Sequence, residues 1–326
     1  MPLLVLSAIG WSTAFPLQES AETSGAKSLR VLLVQVDTAH PKSHQRMFRA
    51  SQRVQGLADL VVWPECSIGN YEQSLHDFSE LSLVEQSSWK TALGELPAPE
   101  PIAPLLAGGD SWVRDSTTGF PKAEFVSAFL FDENRQLIGR HDKNILMPYG
   151  ESIPGEELLP ILRRTLGNDR VISRGNEIQP IGQVAGCSIG VVLCCEDMYS
   201  QLALALTNQK ANMLISIANG SAFKSEIALR QHFRLSRGRS IETGKYFVRC
   251  ASRGVSAVVA PNGNIVEELP ILEDCAKMVH VPILDSSPSW YATLGRVPIL
   301  FLGIAVSWIA YFGNWKSEKQ QSESLP

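Results

Sequence analysis

Three residues able to do acid-base or nucleophilic chemistry, Glu65, Lys143 and Cys194, each stand just after a short apolar or β-rich run in this 326-residue chain. Glu65 follows Leu60-Val61-Val62-Trp63-Pro64, Lys143 follows a run ending near Arg140, and Cys194 closes the run Ser188 to Leu193. Loops directly after strands can aim side chains into a cleft. The three chemistries fit together. A thiol must lose its proton to attack a carbonyl, a carboxylate can take that proton, and an ammonium can stabilise both the thiolate and the oxyanion that follows. Such a scheme needs no metal and no cofactor. The six cysteines (66, 187, 194, 195, 250 and 275) show no paired CxxC spacing, so zinc binding is not indicated. A disulfide is compatible with an oxidising compartment, with no pair singled out. A seryl nucleophile is not supported either, because in Gly186-Cys187-Ser188-Ile189-Gly190 the serine lies within the strand rather than after it.

These residues need a scaffold, and the pattern supplies one. Strands are expected over 31–36, 60–63, 105–108, 188–193, 213–217, 246–251, 257–260 and 264–266. A hairpin is expected from 124–131 and 136–140 around Asp132-Glu133-Asn134-Arg135. Helices fit 43–56, 200–209 and 227–243. Strands alternating with helices predict an α/β layered domain. The net charge of -4 comes with no basic stripe, which argues against a nucleic-acid partner.

Charged residues make up 19% of the chain, and their shortage lies mostly at its two ends. Val297 to Trp315 carries no charge and has about the length that a hydrocarbon core of roughly 30 Å requires, so a membrane span is expected over 296–315. Lys316 and Lys319 follow it and only Arg296 closely precedes it, which places the polar tail 316–326 in the cytoplasm and the main domain outside. Residues 1–15 are apolar and read as an anchor or part of a span, and 16–28 as a polar linker. The catalytic domain is expected over 29–290.

With these residues in place the chain resembles the carbon-nitrogen hydrolase (nitrilase) superfamily, and within it most closely the bacterial apolipoprotein N-acyltransferases. The glutamate motif falls on Trp63-Pro64-Glu65, the lysine motif on Lys143 to Glu151, and the cysteine motif on Cys194-Cys195-Glu196. Further matches are Gln231-His232, Arg239 to Gly244, Arg249, Gly254 to Ala257, Pro261-Asn262-Gly263 and Tyr291 to Gly295. The resemblance implies a four-layer α-β-β-α sandwich with a C-terminal transmembrane helix. It also implies Glu65 as general base, Lys143 as electrostatic stabiliser and Cys194 as the nucleophile that carries a thioester. Cys195, through its backbone N–H, Glu151 and Glu196 would support them. A phospholipid acyl donor, a lipoprotein acceptor and a site facing the membrane on the periplasmic side of a bacterial inner membrane are implied likewise. Ser152 to Gln179, with Leu158, Leu159, Ile161, Leu162 and Leu166, would form the lipid-facing mouth. Three departures bear on substrate. Cys195 replaces the family's tyrosine, Asn219-Gly220-Ser221-Ala222-Phe223 replaces Asn-Asp-x-Trp-Phe, and at most a fragment of one span precedes the domain. An amidase or nitrilase acting on small substrates, and a nitrilase-like protein of conjugal transfer, are the alternatives.

Overall fold

A computed structural model describes residues 27–323 except 41–42, 53–56, 69–70, 74–102, 115–120, 135, 157, 160, 167–170, 286–288 and 296. The apolar segment expected over 1–15 lies outside the described residues, as does most of the linker.

Two sheets carry the fold. The first contains, among the described residues, β1 (Ser28–Gln35), β2 (Leu60–Val62), β3 (Tyr71–Gln73), β4 (Leu105–Arg114), β5 (Pro121–Phe131), β6 (Leu137–Asp142) and β13 (Cys275–Pro282), in the order β13-β1-β2-β4-β5-β6, with β3 paired to β4. The second contains β7 (Gly182–Val184), β8 (Cys187–Leu193), β9 (Met213–Asn219), β10 (Tyr246–Ser252), β11 (Ala257–Val259) and β12 (Ile265–Glu268), in the order β12-β11-β10-β9-β8-β7. Parallel pairing joins β1, β2 and β4 in one sheet and β8, β9 and β10 in the other. The ends that follow these parallel strands are where loops collect.

Alternation along the strands builds the layers. Leu29, Val31 and Leu33 of β1 and Leu60 and Val62 of β2 face Ile189, Val191 and Leu193 of β8 and Met213, Ile215 and Ile217 of β9, forming the central core between the sheets. The alternate residues face outward. Leu32, Val34 and Val61 pack with Met47 of α1 (Ser43–Gln52), while Val192, Leu214 and Phe247 pack with Leu202 and Leu206 of α3 (Ser200–Asn208) and Phe233 of α4 (Glu226–Thr243). Both faces of each inner strand are thus buried, as parallel sheets require, and the result is the expected α-β-β-α sandwich.

The hairpin of β5 and β6 matches expectation, with Asp132 accepting at 2.7 Å from the backbone N–H of Gln136. Strands β3, β7 and β13 were not anticipated, nor were α2 (Ile161–Thr165) and α5 (Trp290–Leu294). β13 matters most, because it pairs with all eight residues of β1 and closes that edge. Of the expected helix 43–56, residues 43–52 are helical and 53–56 lie outside the described residues. All six cysteines are free.

The C-terminal segment differs from expectation. Among the described residues no helix is long and apolar enough to cross a membrane, so the crossing expected over 296–315 is not supplied by the fold. Helix α6 instead runs from Val297 to Glu323, through the supposed polar tail. Lys316, Glu318, Lys319, Gln320 and Gln321 favour helix, and no Gly or Pro interrupts them. Its described side chains, Val297 and 300–312, are exposed.

Candidate active site

Glu65 lies in the turn that leaves β2. Pro64 ends the strand, and the turn is tied to β4, because the backbone N–H groups of Ser67 and Ile68 donate to the Gly108 carbonyl at 2.8 and 3.0 Å. Gly108 is required here by proximity, since a Cβ built on it would stand 2.7 Å from Glu65 Cα and 3.0 Å from Ile217 Cδ1. The close approach sinks Glu65 to 4% exposure, next to the second sheet.

Lys143 is the residue directly after β6. Its backbone N–H donates to the Val126 carbonyl at 2.9 Å and its carbonyl accepts from the Gly175 N–H at 2.8 Å. The side chain is buried and its ammonium donates to Glu151 Oε1 at 2.7 Å and to Glu65 Oε1 at 3.2 Å. Glu151 is in turn fixed by the Met147 N–H, which donates to Oε2 at 2.8 Å.

Cys194 opens a 3-10 turn, Cys194–Met198, at the end of β8. Its φ of 48° lies in the left-handed region that non-glycine residues seldom adopt. Strain of this kind persists only where the surroundings enforce it, commonly at active sites. The buried thiol donates to the Asn219 carbonyl at 3.9 Å and lies against the Glu65 carboxylate. The two sheets therefore bring the three expected residues to one point, Glu65 and Lys143 from the first and Cys194 from the second.

The supporting residues divide by position. Glu151 holds the lysine. Glu196, fully buried, spans the two sheets. Its Oε1 accepts from the Asn144 and Ile145 N–H groups at 2.6 and 3.0 Å, and its Oε2 accepts from the Leu193 N–H at 2.8 Å and meets His141 Nε2 at 3.2 Å. Cys195 turns its thiol to the Ile145 carbonyl at 3.4 Å, close enough to Lys143 to feel its charge.

Electrostatics follow from burial. Burial raises the Glu65 carboxyl above the usual carboxylate range against the pull of Lys143. Burial, then the Glu65 charge, holds the Cys194 thiol well above the ordinary thiol value, with Lys143 opposing. Burial alone would lower Lys143, but Glu65, Cys194, Cys195 and Glu151 together keep it well above the ordinary ammonium value. Burial raises Cys195 to about 12. These influences favour the thiol form of Cys194 and the ammonium form of Lys143, and make the Glu65 carboxylate more basic than usual. That carboxylate is well matched to accept the thiol proton during attack.

Gly108 and Asp197 carried no expected role, and Asn219 was noted only for its loop. A close backbone approach and a carbonyl acceptor leave no side-chain signal in the sequence. Of the supposed mouth, Leu158, Leu159, Ile161 and Leu166 are exposed, together with Tyr149. Among the described residues no group of three or more His, Cys, Asp or Glu is arranged to hold a metal ion.

The carbon-nitrogen hydrolase profile matches residues 31–275. An apolipoprotein N-acyltransferase of Shewanella oneidensis is 24% identical over 272 residues, covering 81% of this chain and 49% of the relative. One from Pseudomonas aeruginosa is 27% identical over 277 residues, covering 82% and 51%. The chain spans about half the length of these curated relatives. Among solved structures, a Saccharomyces cerevisiae member of branch 10 of the nitrilase superfamily superposes with a TM-score of 0.55 at 19% identity, covering 78% of this chain and 90% of that one. The amidase of Nesterenkonia sp. AN1, with acrylamide added at its active-site cysteine, superposes with a TM-score of 0.52 at 16% identity, covering 83% and 98%.

Proposed function

The chain belongs to the carbon-nitrogen hydrolase family, and from that premise we propose that it is a membrane-anchored acyltransferase. It moves a fatty acyl group from a phospholipid to the N-terminal amine of a lipoprotein through a thioester on Cys194. The observation that carries this reading is the buried meeting of Cys194, Glu65 and Lys143 in a chain whose curated relatives are named apolipoprotein N-acyltransferases.

The thiol of Cys194 attacks the ester carbonyl of the donor and its proton passes to Glu65. Lys143 and the backbone N–H of Cys195 stabilise the oxyanion. Collapse expels the lysophospholipid alcohol, which takes the proton from Glu65, and leaves the thioester. The acceptor amine then attacks the thioester, gives a proton to Glu65, and collapse forms the amide. Cys194 departs as thiolate and takes that proton back.

The apolar residues exposed on α6 and at Leu158, Leu159, Ile161 and Leu166 support a site held against a bilayer. The location we propose is the surface of a bacterial inner membrane, in keeping with relatives named apolipoprotein N-acyltransferases. The likeness to an amidase supports a second reading, hydrolysis of a small amide.

Mass spectrometry of the purified protein after incubation with phospholipid vesicles tests the first reading. A fatty acid should appear on Cys194, be released by a lipopeptide amine, and be absent from Cys194→Ala. Release by water alone, or turnover of soluble amides without lipid, would favour the hydrolase. Label retained in Cys194→Ala would remove the nucleophile assignment.

A further inference from the structure

The turn that presents Cys194 is gripped on a second side by groups the reaction scheme does not use. Asp197, three residues after the nucleophile, is fully buried. Its Oδ1 meets His232 Nε2 at 2.7 Å, and its Oδ2 accepts from Ser216 Oγ at 2.8 Å and from Arg249 Nε at 3.0 Å. Arg249 reaches on to the Val255 carbonyl at 2.7 Å, and to His232 Nδ1 at 3.4 Å. One residue further, the Met198 carbonyl accepts from Arg239 at 2.6 Å. His232 and Arg239 are seven positions apart on α4, about two helical turns, and so share one face. The helix thus holds the turn at Asp197 and Met198, while Ser216 of β9 and Arg249 of β10 fasten it to the sheet.

We propose that Asp197 is a positioning residue for Cys194. Its carboxylate fixes the backbone of a turn whose first residue is held at φ 48°. Glu196 secures the side of that turn facing the lysine segment, and Asp197 secures the side facing α4. A left-handed cysteine released from one grip relaxes, and the thiol leaves the line joining Glu65 to an incoming carbonyl. The influences that most shift the Cys194 thiol are burial, Glu65, Lys143, Cys195 and the Asn219 carbonyl. Asp197 is not among these, and its hydrogen bonds hold the geometry of the turn.

This inference rests on Cys194 being the nucleophile, and the test separates the two. Full-length protein is treated with iodoacetamide over a range of concentrations and pH, with labelling at Cys194 followed by mass spectrometry and melting temperature recorded alongside. Asp197→Asn should slow the limiting rate about 10²-fold, as a displacement near 1 Å does. Ser216→Ala, which removes one hydrogen bond and no charge, should slow it about fivefold. In both, the pH at the midpoint of the rate profile stays where it is in the parent and only the amplitude falls. If Asp197→Asn does not fold, Ser216→Ala and His232→Gln decide the matter. Parental rates in folded variants, or a moved midpoint with unchanged amplitude, would overturn the positioning role alone. A parent in which Cys194 reacts no faster than the buried Cys250 would overturn the nucleophile assignment and this inference with it.

Discussion

The Lys143 ammonium is held more closely by Glu151, at 2.7 Å, than by Glu65, at 3.2 Å. The lysine is thereby anchored mainly by Glu151, which in the proposed scheme leaves Glu65 open to exchange a proton with Cys194. A buried cation with two carboxylates is costly to disturb, because loss of one member leaves uncompensated charge.

Substituting Lys143 with Met should abolish most acylation, by about 10²–10³-fold, as removal of an oxyanion-stabilising donor does. Lys143 lowers the Cys194 pKa, so without it the alkylation profile of Cys194 should move to higher pH. Glu151→Gln should slow acylation about tenfold, the scale of one hydrogen bond to a charged group. Single-turnover acylation and pH-dependent alkylation measure both effects, and a Glu151→Gln rate equal to the parent's would show that the lysine needs no anchor.

Gly108→Ala should damage the site without touching a catalytic side chain. Its new Cβ would stand 2.7 Å from Glu65 Cα, a backbone atom that cannot rotate away. Overpacking of this kind costs roughly 1–3 kcal/mol. Acylation should fall more steeply than stability, because Glu65 itself is displaced. Melting curves paired with acylation rates check this, and loss of stability at unchanged rate would contradict it.

Glu196 ties acid stability to the site. Burial pushes its carboxyl up, but His141 and the N–H groups of Leu193 and Ile145 outweigh burial and hold it below the usual range. A lowered folded value contributes stability that is complete above the unfolded carboxylate value, about 4.3, and is lost as pH falls through the folded value. Glu196→Gln should therefore be less stable at neutral pH, by about 1.5–3 kcal/mol, the scale of hydrogen bonds to a charged group, and the gap should narrow as the pH falls below about 4. Denaturant titrations between pH 3 and 7 would reveal a constant gap if the carboxylate charge played no part.

Much of this was legible before the fold was known. Strand ends announced Glu65, Lys143 and Cys194 because a polar residue closing an apolar run is conspicuous. The alternation of strands with helices gave an α/β layered domain, and the family resemblance gave its four layers. Strand β13 was missed because Lys277 and His280 interrupt its apolar pattern on an edge facing solvent. Gly108 was missed because its importance is the absence of a side chain. The hydrogen bonds of Asp197 were hidden because its partners Ser216, His232 and Arg249 lie 19, 35 and 52 residues away, and no local pattern couples such positions. The C-terminal helix was misjudged in extent, since its polar end carries good helix formers that hydropathy alone reads as a tail.

The division of the triad between two sheets also governs when the chain becomes chemically dangerous. Glu65 and Lys143 are 78 residues apart, and Cys194 arrives from the opposite sheet a further 51 positions along (194 minus 143). Contacts of such long range form late, after loop closure has been paid in entropy. In the proposed scheme, Cys194 has neither its base nor its ammonium until the sheets dock. On that scheme, reactivity of Cys194 arises only once the two sheets are assembled, so its alkylation would report completed folding.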